Sequence, residues 1–389
     1  MSLMNSRATP IITGEGEGRR ELKKLFEPVD VVPEVLRINN GIVRSATYER
    51  RADEDGFVTA DLVSLYEALA TGGSGLIVTG CALVHPSGRL LPRMLSVHSD
   101  RYIDGLARLA ERVHAKGGKI ALQIVHGGRQ SLPLYLGGAL PMAPSAVYDP
   151  SSDVTPRAMT TDDIWRIIDA FAGAADRARK AGFDAVQIHG AHGYLVSDFI
   201  SSHTNRRQDY WGGDEERRFH FPEELLEAIR AEVGGFPVMM KINCDDLLPG
   251  ERGLKPEGAA NIAVRLENTG LDAIEISGGM RESTVRTIRP SILNESEEAY
   301  FRQAGALFKK RLRIPVILTG GMRSRRVMED VLKNGEADMI GMSRPLIREP
   351  GLPNSMREGK EKADCISCNK CADFLKYDAV ECFDLTGKT

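Results

Sequence analysis

Eight short apolar runs recur along this chain, each followed by a segment of helical spacing, and that alternation constrains the fold more than any other feature. The runs are 41–47 (GIVRSAT), 75–81 (GLIVTGC), 119–125 (KIALQIV), 184–189 (DAVQIH), 237–243 (PVMMKIN), 273–278 (AIEISG), 315–321 (PVILTGG) and 337–343 (ADMIGMS). Each is β-branched or otherwise apolar and reads as a strand covered on both faces, the mark of a parallel sheet. Between them, residues 102–115 place Ile103, Leu106, Ala107, Leu109, Ala110 and Val113 at helical spacing. Residues 161–181 open on TDD and stop at Gly182, and 256–269, 297–312 and 324–334 behave the same way. The expected fold is α/β: a (β/α)8 TIM barrel with a short Cys-containing C-terminal extension. An open doubly wound sheet would want a Gly-rich turn after its first strand, whereas the first run here leads into RSATYE.

The 389 residues divide on this reading into a polar leader (1–24), the barrel (25–355) and a Cys-rich tail (356–389). Gly14, Gly16 and Gly18 in the leader only superficially resemble a dinucleotide loop, since no strand precedes them. With 42% hydrophobic and 27% charged residues the chain has the composition of a globular protein with a large core. A net charge of -3, with no dominant basic stripe, argues against nucleic-acid or membrane-surface partners. No apolar run is long enough to span a bilayer and no signal peptide is visible, so a cytoplasmic protein is expected. Of the six cysteines, Cys81 and Cys244 stand alone and read as small buried apolar groups. Cys365, Cys368, Cys371 and Cys382 crowd the tail, which suggests metal or redox chemistry rather than a disulfide framework.

Barrels of this kind carry their chemistry at the C-terminal ends of the strands. There the third run delivers Gln123 and HGGRQ, the fourth His189, His192 and Tyr194, and the fifth Lys241. The seventh ends in TGGMR and the eighth in GMSR. Loops after strands 7 and 8 often bind phosphate; Gly320 and Gly321 allow close backbone approach, and Arg344 adds a charged donor. The Gln123 carboxamide offers a donor beside an acceptor, matching the pyrimidine edge of a flavin, and Lys241 suits the negative charge of a reduced one. Phosphate end, amide reader and cation together are what FMN needs.

These residues resemble the old yellow enzyme family of FMN-dependent NADH:flavin oxidoreductases over about residues 25–353. The resemblance is carried by LFEP (25–28), RSATYE (44–49), HGGRQ (126–130), HGAHGYL (189–195), SSHTNRRQDYWGG (201–213) and SRPLIREP (343–350). It implies that FMN lies across the barrel mouth. Ser45, Ala46 and Thr47 would touch it through backbone, and Gly80 and Cys81 would end strand 2 against the ring. Gln123 would read the pyrimidine edge beside Lys241. Gly320, Gly321, Ser343 and Arg344 would hold the phosphate. His189 and His192 would hydrogen-bond the oxygen of an electron-poor enone, enoyl or nitro substrate. Hydride taken from NADH or NADPH would pass from flavin N5 to the β carbon, with Tyr194 as proton donor in a ping-pong cycle. The family often forms oligomers. Tyr48 stands where many members have Thr or Cys.

Other readings of the same residues stay open. The HxxH pair suits a metal or a purely structural role, and Lys241 suits a Schiff-base lyase on the same barrel. The four tail thiols suit a [4Fe–4S] cluster, a zinc ion or a metal-free packing element. Larger relatives resembling dienoyl-CoA reductase carry a cluster after the barrel, with one more residue before the third Cys. The chain would then be a flavin-binding electron carrier or partner-docking protein that works through its tail.

Overall fold

The computed structural model describes residues 24–250, 252–373 and 378–386. The expected polar leader lies, apart from Lys24, outside them.

The eight runs form β1 (Ile42–Arg44), β2 (Leu76–Val78), β3 (Ile120–Val125), β4 (Ala185–Gly190), β5 (Val238–Asn243), β6 (Ala273–Ser277), β7 (Val316–Leu318) and β8 (Met339–Met342). All neighbours pair in parallel, in the order β4-β5-β6-β7-β8-β1-β2-β3, and β3 pairs back onto β4 to close the cylinder. The expected (β/α)8 barrel is therefore the fold, and the open-sheet alternative is set aside. Every residue of β1 to β8 is buried, because helices cover the outer face and side chains fill the inner one. Register follows from this closure. Gln187 on β4 lies level with Gln123 on β3, and Lys241 on β5 lies level with His189 on one side and Glu275 on the other.

The helices form where caps and periodicity agree. Thr160 opens the helix Thr161–Lys180 with a capping box to Asp163. That helix buries Ile164, Ile167, Ile168 and Phe171 on one face, at the spacing of successive turns. Two helices beyond those expected, Ala60–Thr71 and Glu215–Val233, help complete the outer ring. The helix expected over 297–312 starts later, at Arg302. Residues Glu295–Glu297 form a separate turn closed by Asn294, and Ala299 takes φ 49°, which no helix tolerates.

An antiparallel hairpin, Val29–Val32 with Leu36–Ile38, precedes the barrel. Its Val29, Val31, Leu36 and Ile38 pack against the first inward residues of the strands, among them Val43, Leu76, Ala185, Ala273 and Met339. The hairpin thus plugs the N-terminal end and leaves the C-terminal end as the place for a ligand. After β8 the helix Leu352–Arg357 returns Leu352 and Met356 to the main core. The chain then binds the loop after β7 through Ala363 N–H to the Arg323 carbonyl at 2.9 Å. Among the described residues no helix is long and apolar enough to cross a membrane.

Candidate active site

The runs read from sequence as strands outlast the strands themselves. Residues 45–47, 79–81, 319–321 and 343 leave the ladder as loops, and these loops surround a cavity of about 390 Å³ at the C-terminal mouth.

The turn after β4 has a specific cause. His192 and Gly193 both take positive φ, 65° and 76°. The His192 N–H is held by Asn243 Oδ1 at 3.0 Å and its carbonyl by Gln130 Nε2 at 2.6 Å. A Cβ on Gly193 would stand 2.5 Å from that same Gln130 nitrogen, so glycine is required for the turn to close. The result brings three rings together. His189 meets His192 edge-on at 5.2 Å between centroids and Tyr194 at 4.7 Å. All three line the cavity.

Their electrostatics suit hydrogen bonding by neutral groups. Burial, with His192 and Lys241 nearby, holds the His189 imidazole well below its ordinary range. Burial and Lys241 push His192 down to about 3, so near neutrality each ring can present one N–H. His192 Nε2 lies 2.7 Å from the Ser277 hydroxyl. Burial pushes the Tyr194 phenol up to about 12, with Cys81 adding to it, so the phenol keeps its proton.

The far wall is the amide and cation pair. Gln123 and Lys241 line the cavity and are nearly fully buried. Lys241 Nζ donates to Ser45 Oγ at 2.9 Å and lies 3.0 Å from Glu275. Ser45, Ala46 and Thr47 line the same wall, with Thr47 Oγ1 2.6 Å from Ser343 Oγ. At the end of β7, Gly320 and Gly321 take φ 117° and 74°. A Cβ on Gly320 would come within 2.9 Å of the Tyr300 ring. That ring fills the space a side chain would take, and both glycines line the cavity, where bare backbone can approach a phosphate. Amide reader, buried cation and glycine cradle around one cavity are a donor set that fits FMN.

One expected residue lies outside the cavity, and another has a second role. Gly80 does not line the cavity; its N–H donates to Glu49 at 2.9 Å, and a Cβ there would meet that carboxylate at 2.1 Å. It is glycine to let the end of β2 pass a buried acid. Arg344 lines the cavity, but Nη1 is committed to the Arg289 carbonyl at 2.8 Å and to Asn369 Oδ1 at 2.5 Å. It ties the tail to the rim as well as facing the ligand space. Sequence reasoning missed Ser277, Tyr300 and Arg281, which also line the cavity. Ser277 lay in view at the end of the sixth run; the other two sit in the long loop after β6, where no pattern distinguishes them. Arg207 orders the loop after β4, donating to the carbonyls of Pro144 and Met159 at 3.0 and 2.6 Å. Cys244 is buried, whereas Cys81 faces the cavity.

Cys365, Cys368, Cys371 and Cys382 line one small cavity with Arg344 and Arg348. Ser367 and Cys371 face the large cavity as well. Burial, with the Cys365 thiol beside it, pushes Cys371 up to about 11. Arg348 Nη1 donates to Cys382 Sγ at 3.6 Å. Among the described residues no group of three or more His, Cys, Asp or Glu stands in a metal-holding arrangement. What is present is four thiols lining one space, with two cations beside it.

Comparison with known proteins agrees with this geometry. The sequence model of the NADH:flavin oxidoreductase / NADH oxidase family matches residues 24–363. An NADH oxidase from Thermoanaerobacter brockii is 38% identical over 338 residues, 86% of this chain and 51% of that protein. An NADPH dehydrogenase from a Geobacillus strain is 35% identical over 334 residues, 85% of this chain and 92% of that one. A solved 2-naphthoyl-CoA reductase in complex with 2-naphthoyl-CoA superposes with a TM-score of 0.82 at 28% identity, covering 90% of this chain and 54% of that one. The chain thus spans about half the length of some relatives, such as the NADH oxidase, and nearly all of others.

Proposed function

The chain belongs to the NADH:flavin oxidoreductase / NADH oxidase family, and on that premise we propose that it reduces an electron-poor C=C bond with NAD(P)H by way of bound FMN. The observation that carries this reading is the convergence of His189, His192 and Tyr194 on the same cavity as Gln123 and Lys241. Bound there, FMN would supply the two-electron redox chemistry that links NAD(P)H to the substrate.

The protein's own residues do the rest. Gln123 and Lys241 would hold the pyrimidine edge, Ser45 to Thr47 would support the ring, and Gly320, Gly321, Ser343 and Arg344 would surround the phosphate. The two neutral imidazoles donate to a carbonyl or nitro oxygen. Negative charge grows on that oxygen as the hydride arrives, so the donors favour the transition state over the ground state. Tyr194, still protonated, delivers the proton to the α carbon. Ion pairing of Lys241 with Glu275 suits a fixed cation and speaks for the flavin reading over a Schiff-base lyase. The test is an absorption spectrum of the purified protein, then rapid mixing of the NADPH-reduced form with an enone. Enone-dependent return of the yellow absorbance supports the reading. A flavin that binds and is reduced, yet is reoxidised by no activated alkene, leaves the electron-carrier reading instead.

A second proposal concerns the tail. The four thiols lining one cavity are the donor type of an iron–sulfur cluster or a zinc ion, and ligation would have to draw them closer together than they stand, beside Arg344 and Arg348. Location in the cytoplasm and assembly into oligomers belong with these proposals.

A further inference from the structure

Behind the wall formed by Gln123 and Lys241 runs a chain of buried polar side chains from four strands and the loop after β1. Gln123 Nε2 donates to Gln187 Oε1 at 2.7 Å, and Gln187 Nε2 donates to Glu275 Oε2 at 2.8 Å. The other carboxylate oxygen, Oε1, accepts from the Ser45 hydroxyl at 2.5 Å and lies 3.0 Å from Lys241 Nζ. Gln187 and Glu275 are fully buried, and neither lines the cavity. Such a carboxylate is tolerated in a barrel interior only if it is paired and hydrogen-bonded. Both of its oxygens are used, and each contact leads to a residue that faces the ligand. Strand register makes this possible: Gln123 and Gln187 stand level, as do Lys241 and Glu275.

We propose that Glu275 is a positioning residue for the flavin edge, orienting Gln123 through Gln187 and offsetting the charge of Lys241, so that bound FMN has a lower reduction potential than the lysine alone would give it. The inference rests on the FMN reading above. Reduction adds negative charge at the pyrimidine edge. An uncompensated ammonium there favours the reduced state, and a carboxylate 3.0 Å behind the ammonium weakens that preference. The same carboxylate fixes Gln187, whose amide then has one orientation: nitrogen toward Glu275, oxygen toward Gln123. This presents the Gln123 side chain to the ligand in one of its two flips.

The experiment measures the midpoint potential of bound FMN in wild type, Glu275→Gln and Glu275→Asp, and the FMN dissociation constant in Gln187→Leu. Glu275→Gln is expected to shift the equilibrium toward reduced flavin at least tenfold, about 30 mV for a two-electron couple. Glu275→Asp keeps the charge and is expected to stay near wild type. Gln187→Leu cuts the link to Gln123 and is expected to weaken FMN binding about tenfold with little change in potential. A merely structural role for Glu275 would make the aspartate variant as disruptive as the glutamine one. That outcome, or an unshifted potential in Glu275→Gln, overturns the charge role. An unchanged FMN affinity in Gln187→Leu overturns the orienting role, and does so even if Glu275→Gln fails to fold. Wild-type protein that takes up no FMN defeats the cofactor reading itself and this inference with it, a result distinct from the others.

Discussion

At the residue scale, the proposed chemistry rests on side chains whose protonation burial favours one way. Tyr194 is the sharpest case. Its phenol holds its proton up to about 12, so Tyr194→Phe removes the donor without altering charge near neutral pH. Reoxidation of reduced enzyme by an enone should slow by about 10²-fold or more. Reduction by NADPH, which draws no proton from the phenol, should fall far less. Rapid mixing of each half-reaction separately checks this, and equal losses in both would remove Tyr194 from the donor role. His126 gives a stability prediction of the same origin. Burial pushes its imidazole down to about 3 from an ordinary value of 6.5. The unfolded chain therefore takes up a proton that the folded chain refuses between those values. The contribution is complete above about pH 6.5 and is lost as pH falls, by up to about 1.4 kcal/mol per pH unit. His126 Nε2 lies 3.0 Å from Ser87 Oγ; His126→Gln, which keeps a polar side chain there, should lower the pH slope of urea-unfolding free energy by about one proton. An unchanged slope between about pH 6 and about pH 4 would show that His126 does not titrate as its burial implies.

At the element scale, the decisive features are where strands stop. β7 ends at Leu318, and Gly320 at φ 117° turns the chain beneath the Tyr300 ring. Gly320→Ala meets both backbone strain and a ring at 2.9 Å and should cost about 1–3 kcal/mol. Gly335 also has positive φ, 68°, but nothing lies within 4 Å of its missing Cβ. Gly335→Ala should carry the strain alone, about 1 kcal/mol, and thermal melts of the FMN-free variants compare the two. Melting losses of the same size would mean that Tyr300 yields and the close approach is unimportant. Elements of this kind also show what the sequence made legible. The eight strands were visible because burial on two faces forces mostly apolar runs, and HGAHGYL and TGG marked strand ends that line the cavity. The hairpin Val29–Ile38 was not, since Pro33 interrupts it and its role as a plug depends on strands far along the chain. Glu275 and Gln187 were hidden for a related reason. A polar residue inside an apolar strand shows its partners only when register brings the strands level. The second contact of Arg344, to Asn369, was hidden because Asn369 lies 25 residues on in the tail.

At the scale of the whole molecule, the barrel is closed at one end by its hairpin and framed at the other by its own tail. Ser291 N–H donates to the Ser367 carbonyl at 2.9 Å, Asn369 reaches the Ile288 carbonyl at 2.8 Å, and Val380 N–H donates to the Glu49 carbonyl at 2.9 Å. The tail thereby joins the loops after β1 and β6, and Asn369 on Arg344 ties it to the segment after β8, against which the four thiols line their cavity. Ligation by a metal centre would convert these separate contacts into one cross-linked rim, because each sulfur bound fixes another stretch of chain. Protein purified without oxygen should therefore contain about four irons or about one zinc per chain. Cys368→Ser, at an exposed position that packs little, should lose the metal and expose the tail to limited proteolysis. FMN affinity should fall in the same variant, since Arg344 and Cys371 face both cavities. If metal content is negligible, and neither a chelator nor Cys368→Ser alters cleavage of the tail, the thiols are packing groups and the rim is held by its hydrogen bonds alone.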